Sequence, residues 1–260
     1  MTVTGNGTTI LRQFEEDGFA VVRGLFGAAE IDALCAEFAA LHAAGRPVPG
    51  HFEPGPTADP LHRYPRVMHP HEISPLARRF LLDARLRMIL EGLLGEEVLA
   101  AQSMFYFKPP GARGQALHQD NFYLRVEPGT CVAAWVACDA IDRENGGLEV
   151  VPGTHRMDLF CPEESDERLS FAREYVAPPE ELAAVPVDMA PGDVLFFNGS
   201  LVHGSGPNRS AQRFRRSFIG HYAGRSAERI GGYYRTLTMR GERVSLPESE
   251  GAGPCGTSRL

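Results

Sequence analysis

The sequence predicts an α+β protein with a double-stranded β-helix (jelly-roll, cupin-like) core and helices on its N-terminal flank. Two observations carry this. Apolar residues recur at helical spacing up to about residue 95, and beyond it the chain breaks into short apolar or alternating runs separated by Gly, Pro, Asn and Asp. Helices first and many short strands afterwards is the signature of an α+β protein with a double-sheet core. At 260 residues and 43% hydrophobic composition, the chain is long enough for one such domain spanning 1–260. The expected layout is a helical flank over about 8–95, a jelly-roll core over about 96–225 and a flexible tail over about 241–260.

In order, 8–17 and 28–45 read as helices. Ile31, Leu34, Cys35, Phe38 and Leu41 line one face of the second, which Gly45 and Pro47 end. Phe19-Ala20-Val21-Val22 between them reads as a strand. The Pro-, Gly- and His-rich stretch 46–73 reads as an irregular loop, and functional loops often have this composition. Residues 75–94 return to helical spacing through Leu76, Phe80, Leu81, Leu86, Ile89 and Leu93, as two short helices. Strands are expected at 97–107, 115–120, 131–138, 147–151, 185–188, 193–198, 200–203 and 214–222. The acidic segment 157–184 reads as an insertion between strands that is a candidate lid.

Composition excludes several classes. A net charge of −7 offers no positive field for nucleic acid or an anionic membrane surface. No apolar run approaches the ~20 residues of a membrane span, and the N-terminus lacks the basic and apolar regions of an export signal. The cysteines Cys35, Cys131, Cys138, Cys161 and Cys255 form an odd set with no CxxC pair, so neither a disulfide framework nor a zinc knuckle is indicated. The expectation is a cytoplasmic protein, monomer or homodimer, acting on a small molecule.

The chemistry centres on His118-Gln119-Asp120 and His203-Gly204-Ser205-Gly206. Side chains at i and i+2 of an extended strand point to one face, so His118 and Asp120 can aim at one metal. His203, remote in sequence, can sit opposite them across the interior of a barrel or sandwich. Two imidazoles and one carboxylate are the ligand set of a non-heme Fe(II) site with open coordination positions. Further on, Phe214-Arg215-Arg216-Ser217 falls on a strand expected to run beside that of His203. A guanidinium holds a carboxylate bidentately, as anchoring a dicarboxylic co-substrate would require. Arg213, Arg215 and Arg216 compete for that role, and strand parity puts Arg213 and Arg215 on one face.

The motifs Phe107-Lys108-Pro109-Pro110, Leu117-His118-Gln119-Asp120, Asn145-Gly146-Gly147-Leu148, Val151-Pro152-Gly153-Thr154-His155, Pro191-Gly192-Asp193-Val194 and His203-Gly204-Ser205-Gly206-Pro207-Asn208, with Phe214-Arg215 after them, follow one another in a characteristic order. In them, over roughly 10–225, the chain resembles the phytanoyl-CoA dioxygenase (PhyH-like) family of Fe(II)- and 2-oxoglutarate-dependent oxygenases. The resemblance implies His118, Asp120 and His203 as iron ligands and Arg215 as the partner of the distal carboxylate of 2-oxoglutarate. It implies Ser205 as a hydroxyl assisting that arginine, and Gln102, Gln119 and Trp135 near positions that line the co-substrate pocket. One extra residue between His203 and the arginine leaves Arg213 as a second candidate. Fe(II), 2-oxoglutarate and O2 are the implied cofactor and co-substrates. Succinate and CO2 would be released as a small organic metabolite, a secondary-metabolite intermediate, is hydroxylated or otherwise oxidised. Related halogenases carry a small residue in place of the carboxylate, so Asp120 points away from halogenation.

Two readings from other classes stand beside this one: a noncatalytic jelly-roll protein binding a metal or ligand, and a cupin-like metalloenzyme that works without 2-oxoglutarate. Among the other histidines, His155 is a candidate for the site mouth, His221 reads as a core histidine with a place beside the site as the alternative, and His62, His69 and His71 could hold a second metal. Arg63, Tyr64 and Arg66, with Tyr106, Phe122, Tyr123 and Arg125, suggest a polar or anionic substrate with some apolar body. The family resemblance alone does not choose that substrate.

Overall fold

In a computed structural model the described residues are 7–249, and the elements follow the expected order. Helix α1 (Gly7–Asp17), strand β1 (Phe19–Val22) and helix α2 (Ala28–Ala44) open the chain. Ile31, Leu34, Cys35 and Phe38 form the buried face of α2, and Gly45 ends it at φ 60, a left-handed conformation that glycine adopts without steric cost. The loop 46–73 is less irregular than expected, with α3 (Pro60–Arg63), β2 (Val67–Met68) and α4 (Pro70–Ile73). Helices α5 (Pro75–Leu81) and α6 (Ala84–Leu94) are separated because Asp83 caps α6, its carboxylate accepting from the Arg85 N–H at 2.8 Å.

The strands are β3 (Val98–Tyr106), β4 (Gln115–His118), β5 (Cys131–Ala137), β6 (Leu148–Val150), β7 (Glu163–Glu164), β8 (Glu174–Tyr175), β9 (Val185–Pro186), β10 (Val194–Asn198), β11 (His203–Ser205), β12 (Ser217–Gly224), β13 (Thr236–Thr238) and β14 (Arg243–Val244), with a short helix α7 (Asn121–Leu124) after β4. One sheet runs β1-β10-β5-β12-β3-β13-β14, with β2 added beside β3; the other runs β4-β11-β6-β9. Among the described residues every strand pairing within these two sheets is antiparallel.

Strand β5 shows how the layers form. Its seven residues are all buried because alternate side chains serve two cores. Val132, Ala134 and Val136 pack on the helical side with Phe38, Phe80, Leu86, Phe196 and Phe218. Ala133, Trp135 and Ala137 face between the sheets with Leu148, Val150, Leu195, Phe197 and Ile219. The same parity turns Ile219 and His221 of β12 inward and Phe218 and Tyr222 outward.

Several expectations need correction. The strand expected at 115–120 stops at His118 and gives way to α7, and the one expected at 200–203 begins only at His203. Arg215 precedes β12 in the larger sheet, so it does not run beside the strand of His203, whose neighbours are β4 and β6. Part of the tail is ordered: Thr236 and Leu237 of β13 pair with Val244 and Arg243 of β14, and the Ser249 N–H donates to the Ile230 carbonyl at 3.0 Å. The remaining tail residues 250–260, with Cys255, and the N-terminal residues 1–6 lie outside the described residues. Cys35, Cys131 and Cys138 are buried free thiols, whereas Cys161 is disulfide-bonded, which the odd cysteine count did not suggest. Among the described residues no helix is long and apolar enough to cross a membrane.

Candidate metal centre and anion pocket

Antiparallel pairing places His203 directly opposite His118, and Asp120 follows where the chain turns into α7. The three ligand atoms lie within 4.8 Å of one another and all three residues are buried. No other such cluster occurs among the described residues, so His62, His69 and His71 form no second metal site. Oδ1 of Asp120 stands 3.5 Å from Nε2 of His118 and 3.7 Å from Nε2 of His203.

Backbone carbonyls set the tautomers. His118 donates Nδ1–H to the Ala116 carbonyl at 2.8 Å and His203 donates Nδ1–H to the Leu201 carbonyl at 3.0 Å. Both Nε2 lone pairs are thereby directed at Asp120, the arrangement a metal-ligating histidine requires. Gln115 donates its amide to the same His118 nitrogen at 3.0 Å, a bond that a metal would replace. Burial holds the His203 imidazole down to about 4, so it is neutral and available as a ligand at neutral pH. Burial by itself would raise the Asp120 carboxyl, but the neighbouring His203 and His221, with the hydrogen bond from His221, outweigh it and keep it well below the usual carboxylate range. A carboxylate between two buried imidazoles fits a divalent iron-type ion.

The triad opens on a cavity of about 440 Å³, within the size range of small-molecule sites. Arg215 forms part of its wall and is 3% exposed. Its Nε donates to the Gly146 carbonyl and its Nη1 to Ser217 Oγ, each at 3.1 Å. Its guanidinium carbon lies 5.3 Å from the Trp135 ring centre and 5.8 Å from that of Tyr106. No carboxylate pairs with it among the described residues, and burial pushes it down to about 10. A second buried cation stands beside it: Lys108 donates to Gly146 O at 3.0 Å and to Ser205 Oγ at 2.9 Å, and burial first, then the Arg215 charge, hold its ammonium well below the usual lysine range. Two buried cations without an acidic partner fit a bound anion, because an uncompensated buried charge is costly.

The other expected site residues divide. Gln102 and Trp135 line the cavity. Ser205 also lines it, but its hydroxyl accepts from Lys108, and the hydroxyl bonded to Arg215 is that of Ser217. Gln119 does not face the pocket. It follows the end of β4, and its amide links the Ser200 carbonyl at 2.7 Å to the Phe160 N–H at 2.7 Å. Arg213 lies on the surface, paired with Asp142 at 2.8 Å and Glu144 at 2.6 Å, so it does not compete with Arg215.

His221 reverses its expected reading: rather than filling core, its Nε2 meets Oδ2 of Asp120 at 2.9 Å. His155 is tied to the Glu15 carbonyl at 3.2 Å, outside the cavity lining. Arg66, Tyr106 and Tyr123 line the cavity as expected, whereas Arg63, Tyr64, Phe122 and Arg125 do not. Sequence reasoning missed Lys108, Gln115, Tyr233 and Tyr234. The Lys-Pro-Pro motif was visible, but nothing local shows that its ammonium lies beside Arg215. Phe171 to Glu174, from the acidic insertion, also form part of the wall.

Fold and site together define a jelly-roll metal centre with an adjoining anion pocket. The chain belongs to the phytanoyl-CoA dioxygenase (PhyH) family, whose pattern it matches over residues 14–217. It is 31% identical over 228 residues to the peroxisomal phytanoyl-CoA dioxygenase of Bos taurus, covering 81% of this chain and 66% of that one. It is 32% identical over 213 residues to the ectoine dioxygenase of Sphingopyxis alaskensis, covering 75% and 69%. The chain spans from about half to 66% of the length of the first curated phytanoyl-CoA dioxygenases it matches. Among solved structures, the epimerase SnoN in complex with Fe3+, alpha ketoglutarate and nogalamycin RO is similar with TM-score 0.69 and 26% identity, covering 85% of each chain.

Proposed function

We propose that this chain is a non-heme Fe(II)- and 2-oxoglutarate-dependent dioxygenase that hydroxylates or otherwise oxidises a small organic metabolite. The observation that carries the reading is the buried His118, Asp120 and His203 set opening on the same cavity as the unpaired guanidinium of Arg215. His118, Asp120 and His203 would hold the iron. Arg215 would hold the distal carboxylate of 2-oxoglutarate, with the Trp135 face beside the guanidinium and Ser217 fixing its orientation. When bound, iron and 2-oxoglutarate supply the activation of O2, with succinate and CO2 as co-products. The protein's part is to orient the co-substrate, with Phe197 and Ile219 as apolar residues of the cavity wall. Asp120 as the carboxylate ligand supports oxygen transfer or desaturation rather than halogenation.

The finer reading is an anionic substrate with a planar or apolar body. Arg66 and Arg173 line the cavity and make no ion pair among the described residues, while Glu174 is engaged by the Tyr123 hydroxyl at 3.2 Å. Arg66 lies over Phe171 at 4.9 Å from the ring centre, and Tyr233 and Tyr234 supply further aromatic wall. A secondary-metabolite intermediate of this type is the candidate. Succinate formation across a panel of aromatic and alicyclic acids and their neutral amides tests this. Acids should stimulate succinate release and the matching amides should not; equal stimulation by both would sink the charge assignment. The compartment proposed is the cytoplasm, and the disulfide at Cys161 is the observation that stands against it. Alkylation in intact cells tests it, and a Cys161 that stays blocked to the reagent counts against it.

A further inference from the structure

We propose that His221 is a positioning residue for the metal centre: by holding Oδ2 of Asp120 it limits that carboxylate to one ligand oxygen and keeps open the coordination positions that a chelating 2-oxo acid and O2 both need. The inference rests on the iron and 2-oxoglutarate reading and goes beyond it by assigning the number of open positions to a residue that touches neither.

Three observations carry it. The two oxygens of Asp120 are differentiated: Oδ1 lies 3.5 Å and 3.7 Å from the two ligand nitrogens, whereas Oδ2 lies 2.9 Å from Nε2 of His221. His221 is 2% exposed, and its Nδ1 is buried with no hydrogen-bond partner. A histidine recruited only for packing would be better replaced by an apolar residue of similar volume, since an unpartnered buried nitrogen is unfavourable. What remains for this imidazole is its single bond to Asp120. The sheet is also irregular at this point. Along β12 and β3, His221 faces Gln102 but Tyr222 faces Ala100, so Ala101 is an extra residue. Toward β5 the register is continuous, with His221 opposite Ala133 and Tyr222 opposite Val132. Bulges of this kind re-aim side chains beside active sites.

The consequence follows from coordination number. Two imidazoles and a monodentate carboxylate leave three positions on a six-coordinate ion. A 2-oxo acid binding through two oxygens takes two of them and leaves one for O2. A carboxylate free to bind through both oxygens would take one position more, and co-substrate and O2 would then compete for the remainder.

The test uses the full chain under anaerobic conditions, with Fe(II) binding read by equilibrium dialysis, 2-oxoglutarate binding by the visible charge-transfer absorption of the ternary complex, and folding by thermal melting. His221→Leu removes the donor. His221→Gln keeps an amide N–H at about the reach of Nε2, and His221→Asn places one too short to meet Oδ2. The Leu and Asn variants should still bind Fe(II) but need roughly 10- to 100-fold more 2-oxoglutarate, the span expected for losing a hydrogen bond to a charged group or a partner of a metal ligand. The Gln variant should return to within a few-fold of wild type. If the Leu variant does not fold, the contrast between Asn and Gln decides. Leu and Asn variants with wild-type 2-oxoglutarate binding would overturn the proposal, as would a folded Gln variant as defective as Asn. Absence of the absorption in the wild-type protein is a different outcome, and it overturns the iron and 2-oxoglutarate reading together with the role built on it.

Discussion

Replacing Arg215 with methionine should move stability and co-substrate affinity in opposite directions. The guanidinium is almost fully buried with no carboxylate paired to it among the described residues, and burial lowers it to about 10. At ~1.36 kcal/mol for each pKa unit, keeping that charge in the fold costs on the order of 3 kcal/mol. Its bonds to Gly146 O and Ser217 Oγ return about 1 kcal/mol each. Methionine of similar length removes both the cost and the bonds. Apo Arg215→Met should therefore unfold in urea with a stability within about 1 kcal/mol of wild type, on the stabilised side. Affinity for 2-oxoglutarate should fall steeply, because truncating one partner of a buried charged pair costs ~2–5 kcal/mol, or roughly 30- to several thousand-fold. Titration calorimetry with Mn(II) in place of Fe(II) gives the affinity, and Arg213→Met serves as the surface control. Wild-type affinity in Arg215→Met, or an equal loss in Arg213→Met, would refute the anchor. Apo destabilisation by 3 kcal/mol or more would show that the guanidinium serves the fold instead.

Asp120→Ala removes one of three metal donors, and iron affinity in equilibrium dialysis should fall by more than the ~10- to 100-fold typical of losing a residue that merely supports a ligand; retention of iron would remove Asp120 from the ligand set. Burial lowers both His203 and His71 from 6.5 to about 4, so the unfolded chain takes up protons first as pH falls. Apo-protein stability is then complete above about 6.5 and declines toward 4, by up to ~3 kcal/mol for each histidine; a flat urea-midpoint profile across that window would contradict the assignment of neutral buried imidazoles. Gly146 sits at φ +77, and a Cβ there would lie 2.6 Å from the Gly206 carbonyl oxygen and 2.8 Å from Cε of Lys108. Gly146→Ala should cost ~1–3 kcal/mol in urea unfolding, and it should weaken 2-oxoglutarate binding by displacing the carbonyl shared by Lys108 and Arg215.

Much of the site was legible because strand periodicity is a local rule. It aimed His118 and Asp120 at one point, and the structure brings them together, although β4 ends at His118 and Asp120 reaches the centre as the residue that opens α7. Gln119 is turned away by its bonds to Ser200 and Phe160, which no local spacing reveals. The helical flank was legible for a similar reason: the apolar spacing of α2 and the cap at Asp83 are written in neighbouring residues. What the sequence hid depends on pairing between distant strands. Arg215 reaches the cavity from the sheet opposite His203, which no spacing along the chain reveals. Lys108 and His221 are joined to the site by contacts to Gly146, Ser205 and Asp120 that span the sandwich. Phe171 and Arg173 enter the wall because the acidic insertion is pinned to the core, with the Val176 N–H donating to Leu117 O at 2.7 Å and the Gly114 N–H to Leu169 O at 2.7 Å. Its polar composition signalled an insertion, and only those tertiary bonds place it over the site.

The most direct measurement is an anaerobic titration of the apo protein with Fe(II) and then with 2-oxoglutarate, followed by visible absorption. The expected result is a charge-transfer band that saturates at one iron and one 2-oxoglutarate per chain and disappears in Asp120→Ala. A protein that binds Fe(II) yet develops no band with 2-oxoglutarate, or one whose band survives that substitution unchanged, would contradict the assignment of this centre.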